Sequence, residues 1–280
     1  MREIEVKRIK DTVKDLAIKA NYELSEDVLY ALNEALKKER SQTGREILRQ
    51  LIQNADIARK ERYPICQDTG LAIVFIELGQ DARIVGGSLT EAVNEGVSIG
   101  YKEGFLRRSV VSGPFIRKNT NDNTPAIIHT EVVPGDKIKI TFTAKGGGCE
   151  NVSAYKMFKP TAGKGEIEDF VIETVKNAGA NPCPPIIVGI GIGGNQEVSA
   201  LLAKKANLRE VGRSNSNKDT AMMEKEILNR INNLGIGPEG LGGTITALAV
   251  HIETAPCHIA SLPVTVNIDC HAHRVKEAVI

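Results

Sequence analysis

Between Val28 and Ala55 the apolar positions recur every three or four residues, at Val28, Leu32, Ala35 and Leu36 and then at Ile47, Leu48, Leu51, Ile52 and Ala55. Lys, Arg, Glu and Gln fill the gaps, which is the spacing of helices with one buried face. Residues 1–60 are therefore expected to be mainly helical. Ser25, ahead of Glu26 and Asp27, resembles a helix start, because its hydroxyl can accept from orphan amides and the acids favour the positive end of the dipole. After Pro64 the pattern changes to short apolar runs at 71–78, 127–133, 137–143 and 186–190, punctuated by Gly, Asn and Pro, and these read as strands. Alternation across 138–143 predicts a strand with one wet face, whereas the unbroken Ile186-Ile187-Val188 predicts one buried on both faces. Helical spacing returns at 88–100, 167–178 and 219–234, the last with Met222, Met223, Ile227, Leu228 and Ile231 on one side. Residues 207–219, rich in Arg, Ser and Asn, are expected to form an exposed loop. The fold class that follows is α/β (mixed α+β), a helical N-terminal portion (1–60) followed by a mixed β-sheet region packed with helices (61–280). One domain across 1–280 is expected, and no internal repeat is visible.

Composition narrows the function. The 280 residues carry 36 basic and 35 acidic side chains, a formal charge of +1, which gives no electrostatic pull toward nucleic acid or anionic membrane. No run approaches the roughly 18 apolar residues of a membrane span, and residues 1–20 lack the apolar core of a signal peptide. Five cysteines, an odd number with no CxxC pair, suit a reducing compartment, so a cytoplasmic protein is expected.

Three of those cysteines sit in unusual segments. Cys66 opens Cys66-Gln67-Asp68-Thr69-Gly70 just before a strand, so a thiol, an amide, a carboxylate and a hydroxyl crowd into one turn. Cys183 lies in Asn181-Pro182-Cys183-Pro184-Pro185, where prolines fix the backbone and remove N–H donors. Cys270 lies in Asn267-Ile268-Asp269-Cys270-His271-Ala272-His273 after an apolar run. Thiolates in such settings suit a soft metal or an iron–sulfur cluster, and three of them leave a fourth corner open for Lewis-acid chemistry. The alternative is that each thiol is a small buried hydrophobe. Cys257 reads that way, and Cys149 could be a ligand or simply the neighbour of a glycine run whose amides do the work. That run, Lys145-Gly146-Gly147-Gly148, is not a phosphate-binding Walker loop, because the Lys precedes the glycines, but it could form an amide nest for a carboxylate. Gly189 to Gly194 matches a dinucleotide turn poorly. Arg107 and Arg108 are adjacent and point apart, so one of them could grip a carboxylate. His258 is either a structural or a site histidine.

Taken together, Cys66-Gln67-Asp68-Thr69-Gly70, Lys145-Gly146-Gly147-Gly148, Cys183-Pro184-Pro185 with its Gly-Ile-Gly-Ile-Gly-Gly, Leu234-Gly235-Ile236-Gly237-Pro238, and His258 to Pro263 through Cys270-His271-Ala272 resemble class I fumarate hydratase. The likeness is to the separate α subunit of the two-subunit form, a family shared with the α subunit of L-tartrate dehydratase, and it runs from about Val28 to Arg274. It implies a [4Fe–4S] cluster held by Cys66, Cys183 and Cys270 and used as a Lewis acid. It implies a dicarboxylate site lined by Gln67, Asp68, Arg107, Gly147 and His258, with Asp68 in a catalytic supporting role. The activity implied is reversible hydration of fumarate to (S)-malate, with tartrate or another hydroxydicarboxylate as the alternative substrate. A non-catalytic metal or iron–sulfur protein is a further alternative. The family's base and further basic residues lie in a second module, so a β subunit is expected as partner, in an α2β2 assembly. The chain departs from the family pattern at Cys149, Asn195 and Asn121, where Ser, Thr and Gly are usual.

Overall fold

The fold is that of a computed structural model, which describes residues 2–280. In chain order the elements are β1 (Arg2–Glu5), α1 (Val6–Tyr22), α2 (Glu26–Lys38), α3 (Gln42–Glu61), β2 (Leu71–Gly79), β3 (Ala82–Val85), α4 (Leu89–Glu103), β4 (Ile127–Val133), β5 (Ile138–Lys145), α5 (Gly147–Glu150), β6 (Ala154–Phe158), α6 (Lys164–Ala178), β7 (Ile186–Gly194), α7 (Gln196–Ala206), α8 (Lys218–Asn232), β8 (Ala247–Cys257), β9 (Leu262–Asp269) and β10 (Val275–Val279). The α/β class and the helical start are as expected. The chain contacts itself as two compact units.

The first unit takes the chain up to Ser25, Asn54–Gly147 and Arg274–Ile280. Its sheet has the order β10-β5-β2-β4, with β10 and β2 antiparallel to β5 and β4 parallel to β2. Ile9, Val13, Leu16 and Ala17 of α1 and Val93, Val97 and Tyr101 of α4 pack with Val74, Ile76, Ile138, Ile140 and Phe142 in one apolar cluster. Each aliphatic side chain so buried contributes about 1.5–3 kcal/mol. The expected wet face of 138–143 is largely dry, since Thr141 and Thr143 are also buried. Alternation alone predicts the wet face, yet threonine is enriched in strands alongside valine and is accommodated on a covered pleat.

The second unit takes Glu26–Gln53 and Gly148–His273. Its sheet has the order β6-β9-β7-β8, with β6 and β7 antiparallel to β9 and β8 parallel to β7. Ile186, Ile187 and Val188 are fully covered, as their unbroken run implies. Val171 and Val175 of α6 and Ile227 and Ile231 of α8 cluster with Ile186, Val188 and Ile190. Met222 is exposed, so the α8 stripe is narrower than expected. The segment after α7 is exposed from Gly212, but Asn207 and Val211 are buried. Asn207 Nδ2 donates to the Asn267 carbonyl at 3.0 Å, tying this supposed loop to β9. No described helix is long and apolar enough to cross a membrane.

Candidate active site

In the first unit, the turn carrying Cys66 leads into β2 and is fixed from several sides. Tyr101 on α4, fully buried, donates its hydroxyl to the carbonyls of Thr69 at 2.6 Å and Gly70 at 3.2 Å. Burial pushes the phenol pKa up, so it remains a donor. Asn123 Nδ2 donates to the Gly70 carbonyl at 3.2 Å while its Oδ1 accepts from Ser109 N at 2.7 Å. Thr69 Oγ1 donates to the Arg107 carbonyl at 2.8 Å, and buried Arg274 donates through Nη1 to the Asp68 carbonyl. Gly70 has φ +68°, and a Cβ there would come within 2.6 Å of the Lys145 backbone, so glycine lets the turn lie against the end of β5.

This framework aims Asp68. Its Oδ1 accepts from Gly70 N at 3.0 Å and its Oδ2 from Gly147 N at 2.8 Å, which fixes the carboxylate while leaving lone pairs for other donors. Cys66 Sγ accepts from Asp68 N at 3.4 Å and lies 3.5 Å from Oε1 of the exposed Gln67. A cavity of about 650 Å³ is lined by Asp68, Arg107, Ser109, Arg117, Lys145 and Gly147 among others. Three cationic groups around one carboxylate suit a ligand bearing more than one negative oxygen pair. Of the adjacent arginines, Arg107 lines the cavity and Arg108 does not; the Arg108 carbonyl accepts from Asn119 Nδ2 at 2.8 Å.

In the second unit, Cys183 precedes β7 and Cys270 follows β9, and these strands are antiparallel neighbours with Ile187 opposite Asp269. Both thiols therefore belong to the same end of that sheet. Cys183 is exposed and holds φ +53°, a conformation that costs a non-glycine residue of order 1 kcal/mol or more. The segment is stitched by His271, whose Nδ1 lies 3.0 Å from the Cys183 carbonyl and 3.1 Å from Glu239 Oε1. Burial works against protonation of His271, yet Glu239, the Cys270 thiol and the Cys183 carbonyl together raise its pKa. Cys270 is buried, and its N–H donates to Asp269 Oδ1 at 3.2 Å. Two thiols at one end of a sheet are donors of the kind an iron–sulfur cluster takes.

His258 is placed differently. It follows β8, whose Cys257 pairs with Gly194 at the far end of β7, while Cys183 lies beyond the opposite end, where Ile186 pairs with Ala247. At about 3.3 Å per residue that is a separation on the order of 25 Å. Its Nδ1 accepts from Ala260 N at 3.1 Å in an exposed turn, so this unit does not bring His258 together with Cys183 and Cys270. Sequence reasoning missed Arg117, Tyr101, Asn123 and Arg274. Lys145 had a signal, since a lysine closing a strand just before a glycine run is placed beside whatever those glycines hold.

The sequence profile of the family described as fumarate hydratase (Fumerase) matches residues 10–279. A chain of Methanocaldococcus jannaschii named "Putative L(+)-tartrate dehydratase subunit alpha" is 46% identical over 275 residues, covering 95% of each chain. L(+)-tartrate dehydratase subunit alpha of Escherichia coli (strain K12) is 30% identical over 273 residues, covering 96% of this chain and 89% of that one. With the profile matched almost end to end, the chain belongs to the fumarate hydratase family of iron–sulfur hydro-lyases.

Proposed function

We propose that this chain is the α subunit of a hydro-lyase that removes water from a four-carbon hydroxydicarboxylate, with Cys66, Cys183 and Cys270 as the ligands of a [4Fe–4S] cluster. The observation that carries this reading is the cavity in which Arg107, Arg117 and Lys145 surround an Asp68 fixed by the Gly70 and Gly147 amides. The chemistry such a cluster supplies when bound is Lewis acidity at an exchangeable position, without net redox change. The chain's own residues do the rest of the work assigned to it. Arg107 and Lys145 hold substrate carboxylates, the Gly147 backbone fixes Asp68, and Asp68 orients a proton-accepting group of the partner subunit. That base, further basic residues and any use of His258 are left to the assembled complex, α2β2 by the family resemblance.

L(+)-tartrate is the first candidate substrate, because relatives similar along nearly their whole length carry that name. The fumarate–malate pair expected from the motifs is the second, supported by the family's own description. Tartrate differs from malate by one hydroxyl, and a site built to hydrogen-bond a hydroxyl discriminates strongly against a ligand lacking it. The test is anaerobic reconstitution of the chain with its β-type partner and comparison of kcat/KM for L(+)-tartrate and (S)-malate. Faster tartrate turnover is expected, with negligible activity when the partner is omitted. A tenfold preference for malate replaces the first substrate by the second, and a fully loaded complex inert toward both rejects the dehydratase reading.

A further inference from the structure

Cys149 is the thiol that the proposed ligand set leaves out. It sits on α5, buried, with Sγ 3.6 Å from the Pro182 carbonyl. The Cys149 Sγ, the Cys270 Sγ and a carboxylate oxygen of Asp269 all lie within 4.8 Å of one another, and all three residues are buried. The frame around them is well tied. Asn267 on β9 donates through Nδ2 to Glu150 Oε2 at 3.0 Å and to Ser153 Oγ at 2.8 Å, which holds α5 beside the end of β9. Lys204 adds a 2.7 Å ion pair to Glu150 Oε1. Behind the trio, His273 Nδ1 lies 2.6 Å from Asp269 Oδ2, and His273 is itself buried.

Two sulfurs and a carboxylate oxygen at this separation are donors for one ion. With metal–sulfur bonds of about 2.3 Å and metal–oxygen bonds of about 2.0–2.2 Å, tetrahedral geometry puts neighbouring ligand atoms roughly 3.5–3.8 Å apart. From their present separations, within 4.8 Å, the three atoms need to draw together by at most about 1.3 Å to reach that spacing. Soft thiolates select thiophilic ions, and a histidine held against a ligating carboxylate is the support that orients such a ligand.

We infer that the chain without its cluster binds one thiophilic divalent cation, of the zinc(II) or iron(II) class, through Cys149, Asp269 and Cys270, with a fourth position left to water. The cation site rests on the cluster reading only in sharing Cys270. One thiolate cannot serve both, so a cation held here withholds Cys270 from cluster assembly and acts as a metal-sensitive gate on maturation.

The test uses the full-length apo chain under anaerobic conditions, titrated with Co²⁺ as the spectroscopic probe. One equivalent is expected to give the intense visible bands of a tetrahedral cobalt–thiolate site, bleached by Zn²⁺. Cys149→Ser and Cys149→Ala should each weaken binding by at least about tenfold, a loss no smaller than that from removing a group behind the ligands. Cys257→Ser should leave binding unchanged. In a second arm, one equivalent of Zn²⁺ given before iron and sulfide slows growth of the cluster's visible absorption in the wild type and not in Cys149→Ser. Cobalt bands unaltered in both Cys149 variants, or zinc that leaves reconstitution equally fast in wild type and variant, overturn the site. Cobalt bands that depend on Cys149 in a chain that never builds a cluster sustain it and reject the cluster reading instead.

Discussion

Asp68 is held by backbone amides and Thr69 by a tyrosine, so the geometry of the Cys66 turn depends on residues that carry no chemistry of their own. Tyr101 is the clearest of them, since its hydroxyl serves two carbonyls inside a covered site. Tyr101→Phe keeps the ring and removes the donor, leaving the Thr69 carbonyl without it and the Gly70 carbonyl with Asn123 alone, which costs about 1–3 kcal/mol. A fall of that size in unfolding free energy by urea titration is expected, and a variant as stable as the wild type rejects the role. The polar crowding in Cys66 to Gly70 was legible in the sequence, as was the use of the Gly146–Gly148 run for its amides, now seen in the Gly147 bond to Asp68. Tyr101 was not legible, because at helical spacing it reads as one more core residue. Asn123 and Arg274 were not either, since what they hold lies 53 and 206 residues away in the chain.

The two four-stranded sheets share one pattern of pairing, antiparallel, antiparallel and then parallel. In each, a cysteine-bearing turn precedes the central strand, Cys66 before β2 and Cys183 before β7. The antiparallel neighbour ends beside that turn, β5 in Gly146–Gly147 and β9 in Cys270–His271. Nothing in the sequence repeats, because matching topology requires matching apolar faces rather than matching residues. Strands with strong apolar runs, β2, β4, β5 and β7, were found by pattern. The short β1, β3, β6 and β10 were not, since four or five residues with mixed faces give no period to read. Strand order was beyond reach as well, for β10 pairs with β5 across almost half the chain. The glycines of β7 match a dinucleotide turn poorly, and the structure gives another reason for them. A Cβ on Gly191 would stand 1.9 Å from the Ser199 carbonyl oxygen of α7, so α7 lies directly on the strand. Gly191→Ala must push that helix's backbone outward and should cost about 3 kcal/mol. Gly165→Ala, in α6 with open space around it, should be neutral or slightly stabilising, by up to about 1 kcal/mol. Equal denaturation midpoints for the two variants reject the close-packing account.

For the molecule as a whole, the near balance of 36 basic and 35 acidic groups means that mild acid builds little net charge before the carboxylates titrate. Within the range between neutrality and pH 4, the buried His251 is a source of pH-dependent stability. His251 is buried in β8, with Nδ1 3.2 Å from the Ala206 carbonyl. Burial, reinforced by Arg209 and His273, pushes its pKa down to about 4, against the opposing pull of the Ala206 carbonyl and Asp27. The unfolded imidazole takes up a proton near pH 6.5, which the native one refuses until about pH 4. The contribution is thus fully present above pH 6.5 and declines as pH falls toward 4, by a total on the order of 3 kcal/mol. Two other groups act in different windows. His271, with its pKa raised, loses its contribution as pH rises above 6.5. Glu39 is buried, but the amides of Ser41, Thr244 and Ile245 hold its pKa below the usual 4.5, so its contribution is lost only as pH falls through that lower value. Urea unfolding between pH 6.5 and 5 isolates His251. The wild type should lose stability steadily across that interval, while His251→Gln, which carries no titratable ring, should be nearly flat. Parallel slopes for the two proteins mean that the proton taken up on unfolding goes elsewhere.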